Sequence, residues 1–221
     1  MMWKKTLFVL AVAVILAVMV VGTGHPKGSP SKGTSPSPPK SSPQSPTPSK
    51  PSPRSTQREV VPWKPDGVIG EGEYQRAYKD GDFELYLRAE NGTLMVGMRA
   101  PTRGWLAVGF GGTKGMKGAD VVIAYVFPNG TVAVSDEYST GFSGPHNPDG
   151  IYGGTDDVLS YGGSEGPDYT VVEFSRKLDT GDRWDFKIPS AGKFRVIWAY
   201  ALEDDFLSMH VKAGSFYAEV G

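Results

Sequence analysis

With 221 residues, the chain can hold one domain of ordinary size plus appendages. Its formal net charge of -1 hides an asymmetry: residues 1–64 carry nine Lys/Arg against Glu59 alone, and residues 65–221 hold nine more acidic than basic side chains. An acidic globular part excludes a nucleic-acid partner, because phosphate contacts need clustered Lys and Arg. The absence of cysteine excludes disulfides, thiolate metal sites, iron–sulfur clusters and thioether-attached haem. The histidines are His25, His146 and His210, too few for a His-rich copper or zinc enzyme.

Lys4 and Lys5 precede an apolar run from Leu7 to Val21. The basic flank and the length predict a signal peptide or an uncleaved signal anchor over residues 1–24. Either one exports the remainder, leaving it secreted or tethered to the outer face of the cell membrane. Residues 25–59 are almost entirely Pro, Ser, Thr, Lys and Gly. They lack the apolar side chains that offset ordering entropy, so a disordered stalk is expected.

The folded part is expected over residues 60–221. VPWKPDGVIGEGEY supplies an apolar start, a Pro-Asp-Gly turn and a candidate short strand. In DFELYLRAE, Phe83, Leu85, Leu87 and Ala89 alternate with polar neighbours, then Asn91-Gly92 leads into TLMVGMRA. Two alternating runs joined by Asn-Gly predict a hairpin. Further strands read at 104–110, 120–127, 131–135, 157–161, 169–175, 184–188, 193–202 and 215–220. No window of a dozen residues carries a helical period free of Gly or Pro. About ten short strands predict an all-β, immunoglobulin-like antiparallel β-sandwich. Between 136 and 166 Gly, Pro and Asp dominate. Asp149, Asp156 and Asp157 offer oxygens to calcium, but no D-x-D-x-D-G loop is present and the segment reads as turns. His146, between Pro145 and Pro148, reads as an exposed loop histidine. Asn91-Gly92-Thr93 and Asn129-Gly130-Thr131 match the N-glycosylation pattern, although Asn-Gly also suits hairpin turns.

Two residues stand out for chemistry. Met116 lies in a glycine-studded loop (Gly109, Gly111, Gly112, Gly115, Gly118) between two apolar runs, and His210 precedes the closing strand. A thioether among glycines, with no neighbours at strand or helix spacing, suits an axial ligand as well as a gap-filling side chain.

The run GWLAVGF, the motif Met116-Lys117-Gly118-Ala119-Asp120-Val121, the run Phe174-Ser175-Arg176-Lys177-Leu178-Asp179-Thr180-Gly181-Asp182 and a late histidine followed by glycine together resemble the DOMON family. The likeness spans about residues 61–221 and implies an immunoglobulin-like sandwich. In its haem-binding branch, the b-type cytochrome domains of the cellobiose dehydrogenase and plant DOMON kind, haem lies between a methionine and a histidine. Met116 and His210 match those places, with Met209 and Lys212 as neighbouring alternatives. The resemblance thus implies non-covalent haem b with metal ligands Met116 and His210. Trp105, Phe110, Tyr125, Trp198 and Tyr200 are the candidates for lining the pocket, although alternation along a strand allows only some of them to face it.

The expected function is an exported one-electron carrier with no catalysis of its own, working with a redox partner protein or membrane electron carrier. The acidic face would suit a basic partner surface. The alternative is an extracellular carbohydrate-binding or adhesion module without haem, its ligand a glycan held by exposed aromatics of residues 136–166. A copper monooxygenase is disfavoured by the histidine count.

Overall fold

The computed structural model describes residues 61–221. The expected signal segment and stalk lie outside the described residues. Among those described, no helix is long and apolar enough to cross a membrane.

Eleven strands form two antiparallel sheets. In chain order they are β1 (Arg76–Asp80), β2 (Phe83–Glu90), β3 (Thr93–Ala100), β4 (Leu106–Lys114), β5 (Lys117–Val126), β6 (Val132–Ser139), β7 (His146–Pro148), β8 (Ser160–Glu165), β9 (Thr170–Lys177), β10 (Phe194–Tyr200) and β11 (Lys212–Ala218). One sheet has the order β1-β2-β3-β9-β8, the other β11-β10-β4-β5-β6-β7. The sandwich expected from the strand count is present.

Period-2 alternation builds the core. Phe83, Leu85 and Leu87 of β2 face inward with Leu94, Val96 and Met98 of β3, against Leu106, Val108 and Phe110 of β4 and Val196 and Trp198 of β10. The β2–β3 turn forms as expected: Asn91 (φ 52°) and Gly92 (φ 78°) both take the left-handed region that a two-residue hairpin turn demands.

The middle of the six-stranded sheet is apolar on both faces. Ala107, Val121, Ile123, Trp105 and Ala201 form a second buried cluster on the outer face, with Tyr125, Ile197, Ala199 and Phe206 packed on it. This explains why GWLAVGF and ADVVIAYVF read as continuous apolar runs rather than alternating ones.

Three expectations need correction. The stretch from Val61 to Tyr74 contains no strand. It crosses the five-stranded sheet, tied down by Gly67 N–H to Glu173 (2.7 Å), Tyr74 OH to Glu173 (2.7 Å) and Arg88 to the Val61 carbonyl (2.7 Å). Residues 184–188 also form no strand, because the Trp184 indole donates to the Tyr152 carbonyl (3.1 Å) and its ring packs against Tyr138 and Tyr152. His146 is not a free loop residue. It sits on β7 opposite Ser139 with its ring nitrogen bonded to Glu137.

Candidate functional site

The glycine-studded stretch after β4 is a tight hairpin rather than a loop. Lys114 pairs with Lys117, leaving Gly115 and Met116 as the two turn residues. Gly115 sits at φ 56°, and a Cβ there would lie 2.2 Å from the Phe142 carbonyl oxygen. Met116 N–H donates to that same carbonyl (3.1 Å), which docks the turn on the β6–β7 connection. Glycine is required at 115 by both conformation and space.

His210 lies at the other end of the sheet. In β10, Tyr200 pairs with Leu106 at the start of β4 and with Lys212 at the start of β11, so the loop between β10 and β11 emerges where β4 begins. Met116 sits where β4 ends. The nine residues of β4 rise about 25 Å at strand spacing. Axial ligands of one iron must approach each other within about 5 Å, given metal–ligand bonds of roughly 2 Å. As folded, Met116 and His210 do not share a metal. The expected Met116–His210 ligand pair is therefore corrected: sequence order placed both in loops, and strand pairing sends the loops to opposite ends.

The five lining candidates also divide between the two faces. Phe110, Trp198 and Tyr200 face the inter-sheet core. Trp198 stacks on Phe83 at 4.9 Å with the rings 5° apart and donates its indole N–H to Asp80 (2.9 Å). Tyr200 OH donates to Asp82 (3.1 Å). Phe110 is fully buried beside Phe194. None of the three faces the outer surface, so they are corrected to core residues. Trp105 and Tyr125 lie on the outer face of the six-stranded sheet, in the second apolar cluster.

That outer cluster adjoins the His210 loop. Gly104 lets the loop pass: a Cβ there would lie 2.4 Å from the backbone at Leu202 and Glu203. Trp105 N–H donates to the Glu203 carbonyl (3.1 Å), and its indole donates to Ser208 Oγ (2.9 Å). Phe206 folds back against Tyr125 at 4.8 Å. Beyond Phe206 the loop turns apolar side chains to solvent: Leu207 is 94% and Met209 83% exposed, and Leu202 and Val211 are also exposed. His210 is exposed within this run. Lys212, the alternative ligand, is bound to Asp82 (2.7 Å), and that hydrogen bond holds the Asp82 carboxyl below its usual range.

Haem b is the cofactor that the family resemblance implies. The Met116–His210 pair does not fit it, whereas His210, exposed in a loop that also exposes Leu207, Met209 and Val211, is an imidazole that would be able to hold an apolar macrocycle.

The sequence reading missed a second cluster. Asp120 on β5, Asp136 on β6 and Asp185, in the connection between β9 and β10, bring carboxylate oxygens within 4.8 Å of one another. Arg176 of β9 is buried against them, paired with Asp120 and with Asp185 (3.2 Å). Burial pushes Asp120 up to about 6 against the opposing pull of Arg176, and burial together with the Asp120 charge pushes Asp136 up to about 8. Asp149, buried nearby, is raised to about 7 by burial and by the charges of Asp185 and Asp120. Four separate segments contribute, so no local spacing announced the cluster.

The DOMON domain family model matches residues 79–201, and the chain belongs to the DOMON family. Among solved structures, it is similar to the cytochrome domain of Myriococcum thermophilum cellobiose dehydrogenase, at 14% identity and a TM-score of 0.47 over 66% of this chain and 81% of that one.

Proposed function

We propose that this domain is an exported b-type cytochrome module that carries single electrons, with haem held by His210 on the outer apolar face rather than between Met116 and His210. One observation carries the reading. The histidine of the DOMON-like closing motif lies in a loop that exposes the apolar side chains Leu202, Leu207, Met209 and Val211 and is tied to the Trp105–Tyr125–Phe206 cluster through Ser208 and Phe206. Apolar side chains gathered at the surface mark a place that takes up a ligand or partner.

When bound, haem b supplies a one-electron ferric–ferrous couple. The chain's residues do the rest. His210 presents an imidazole nitrogen as ligand. The four apolar loop side chains exclude water from the macrocycle. The Trp105–Ser208 hydrogen bond and the Trp105–Glu203 backbone bond hold the loop to the sheet. The excess of acidic side chains suits an electron partner with a basic surface.

Absorbance of the chain titrated with haem, oxidised and then dithionite-reduced, tests this. A Soret band that is lost in His210→Ala and kept in Met116→Ala is expected. A chain that stays colourless overturns the reading. In that case the polar cleft of about 480 Å³ lined by Thr155, Thr180, Asp182 and Arg183 favours the glycan-binding alternative.

A further inference from the structure

We infer that the carboxylates of Asp120, Asp136 and Asp185 form a calcium site at the end of the sandwich opposite His210. Each acid is held by the protein in a way that leaves an oxygen free. Asp120 Oδ2 accepts from Phe186 N–H (2.8 Å) and from Arg176, while its Oδ1 is buried with no hydrogen-bond partner. Asp136 Oδ2 accepts from Asp157 N–H (2.8 Å), and its Oδ1 is likewise buried and unpartnered. Asp185 Oδ2 is ion-paired with Arg176 (3.2 Å), while its Oδ1 is buried and unpartnered, and the side chain is 2% exposed. Asp149 Oδ1, close by, is a fourth such oxygen. Buried polar atoms are nearly always hydrogen-bonded, so an unpartnered oxygen on each of three clustered, buried acids marks a missing partner.

Charge identifies that partner. With all three carboxylates ionised, one guanidinium leaves two negative charges in the interior, and one divalent cation cancels them in place of protons. The donors are all oxygen, with no histidine or cysteine among them, which selects a hard cation. Calcium takes six to eight oxygens at about 2.4 Å, so ligands on opposite sides of the ion lie about 5 Å apart. Carboxylate oxygens that all lie within 4.8 Å of one another can reach one such ion. Magnesium keeps most of its waters and is held by one or two carboxylates, which this dry cluster does not suit. The polar cleft adjoins the cluster: its lining residue Asp182 and Asp149 both pack against Gly154. The site is independent of the haem reading: it uses neither His210 nor the outer face of the sheet.

The test is calorimetric titration of the EGTA-stripped full chain with calcium chloride, together with thermal unfolding in EGTA and in calcium. One ion per chain is expected, with a saturable rise in Tm. Asp136→Asn and Asp185→Asn should each weaken binding at least tenfold, whereas Asp168→Asn, on the exposed β8–β9 turn, should leave it unchanged. No uptake at millimolar calcium, with equal Tm in EGTA and calcium, would mean that protons and Arg176 satisfy the cluster. Uptake that persists in the Asp136→Asn/Asp185→Asn double variant would place the ion elsewhere. Either result overturns the inference, and the first needs no variant to fold.

Discussion

At the residue scale, the two side chains that matter most to stability carry opposite chemistry. Arg176 is buried between Asp120 and Asp185, at 1% exposure of its side chain. Removing the guanidinium leaves two buried carboxylates facing each other, so Arg176→Met should cost about 3–5 kcal/mol in urea unfolding. Saturating calcium should not restore it, because the ion compensates only the charge that Arg176 leaves over. Trp198 is the apolar counterpart. Its stacking on Phe83 and its bond to Asp80 make it a core residue. Trp198→Ala should cost about 3–5 kcal/mol by cavity formation. In variants that still fold, haem titration should give an unchanged endpoint. A selective loss of haem uptake in Trp198→Ala would return Trp198 to the ligand pocket.

At the element scale, the β4–β5 hairpin shows what sequence could and could not reveal. The apolar runs on either side of Met116 identify the two strands, and the glycines identify the turn. What they cannot give is direction. Whether the turn points toward His210 depends on β10 lying antiparallel beside β4, a pairing between segments more than eighty residues apart. The β2–β3 hairpin was legible because its information is local, in Asn91-Gly92 and two alternating flanks. The acidic cluster was illegible for the opposite reason. Asp120 is one acid within an apolar run, and Asp136 and Asp185 fall at the start of a turn-rich stretch and in an interstrand connection. The hairpin makes its own prediction. Gly115→Ala places a methyl against the Phe142 carbonyl at positive φ and should cost about 1–3 kcal/mol. The haem spectrum should not change, since the turn is remote from His210. A haem-binding defect in Gly115→Ala without loss of stability would show that Met116 does reach the iron.

At the scale of the molecule, the sandwich has two unlike ends. One carries the buried acids, the other the apolar loop around His210. The acidic end predicts a pH dependence. Asp120, Asp136 and Asp149 have raised values of about 6, 8 and 7, against about 4 for an unfolded aspartate. Between those limits the folded chain binds more protons than the unfolded one, so stability should fall as pH rises from about 5 to 8. Arg176, which opposes the shift, stays charged throughout, and the rim acid Asp182 is held below its usual range by the Trp184 N–H, so neither reverses the sign. In EGTA, the urea midpoint should therefore be higher at pH 5 than at pH 8. Calcium should flatten the slope by replacing the protons. A midpoint that rises from pH 5 to 8 in EGTA would show that the cluster is already ionised and compensated.

The strand length that keeps Met116 from His210 also insulates the two ends from each other. Asp120 pairs with Phe110, and His210 lies beyond the level of Leu106, in the loop that leads into β11, two positions from β4. That separation is on the order of 20 Å, about twice the Debye length at physiological salt. A cation gained or lost at the acidic end would change how firmly the sheets are clamped, while distance would weaken its field on an electron at the other end. The fold would then work as a mechanical fastener and an electrical contact in one body, each adjustable without retuning the other.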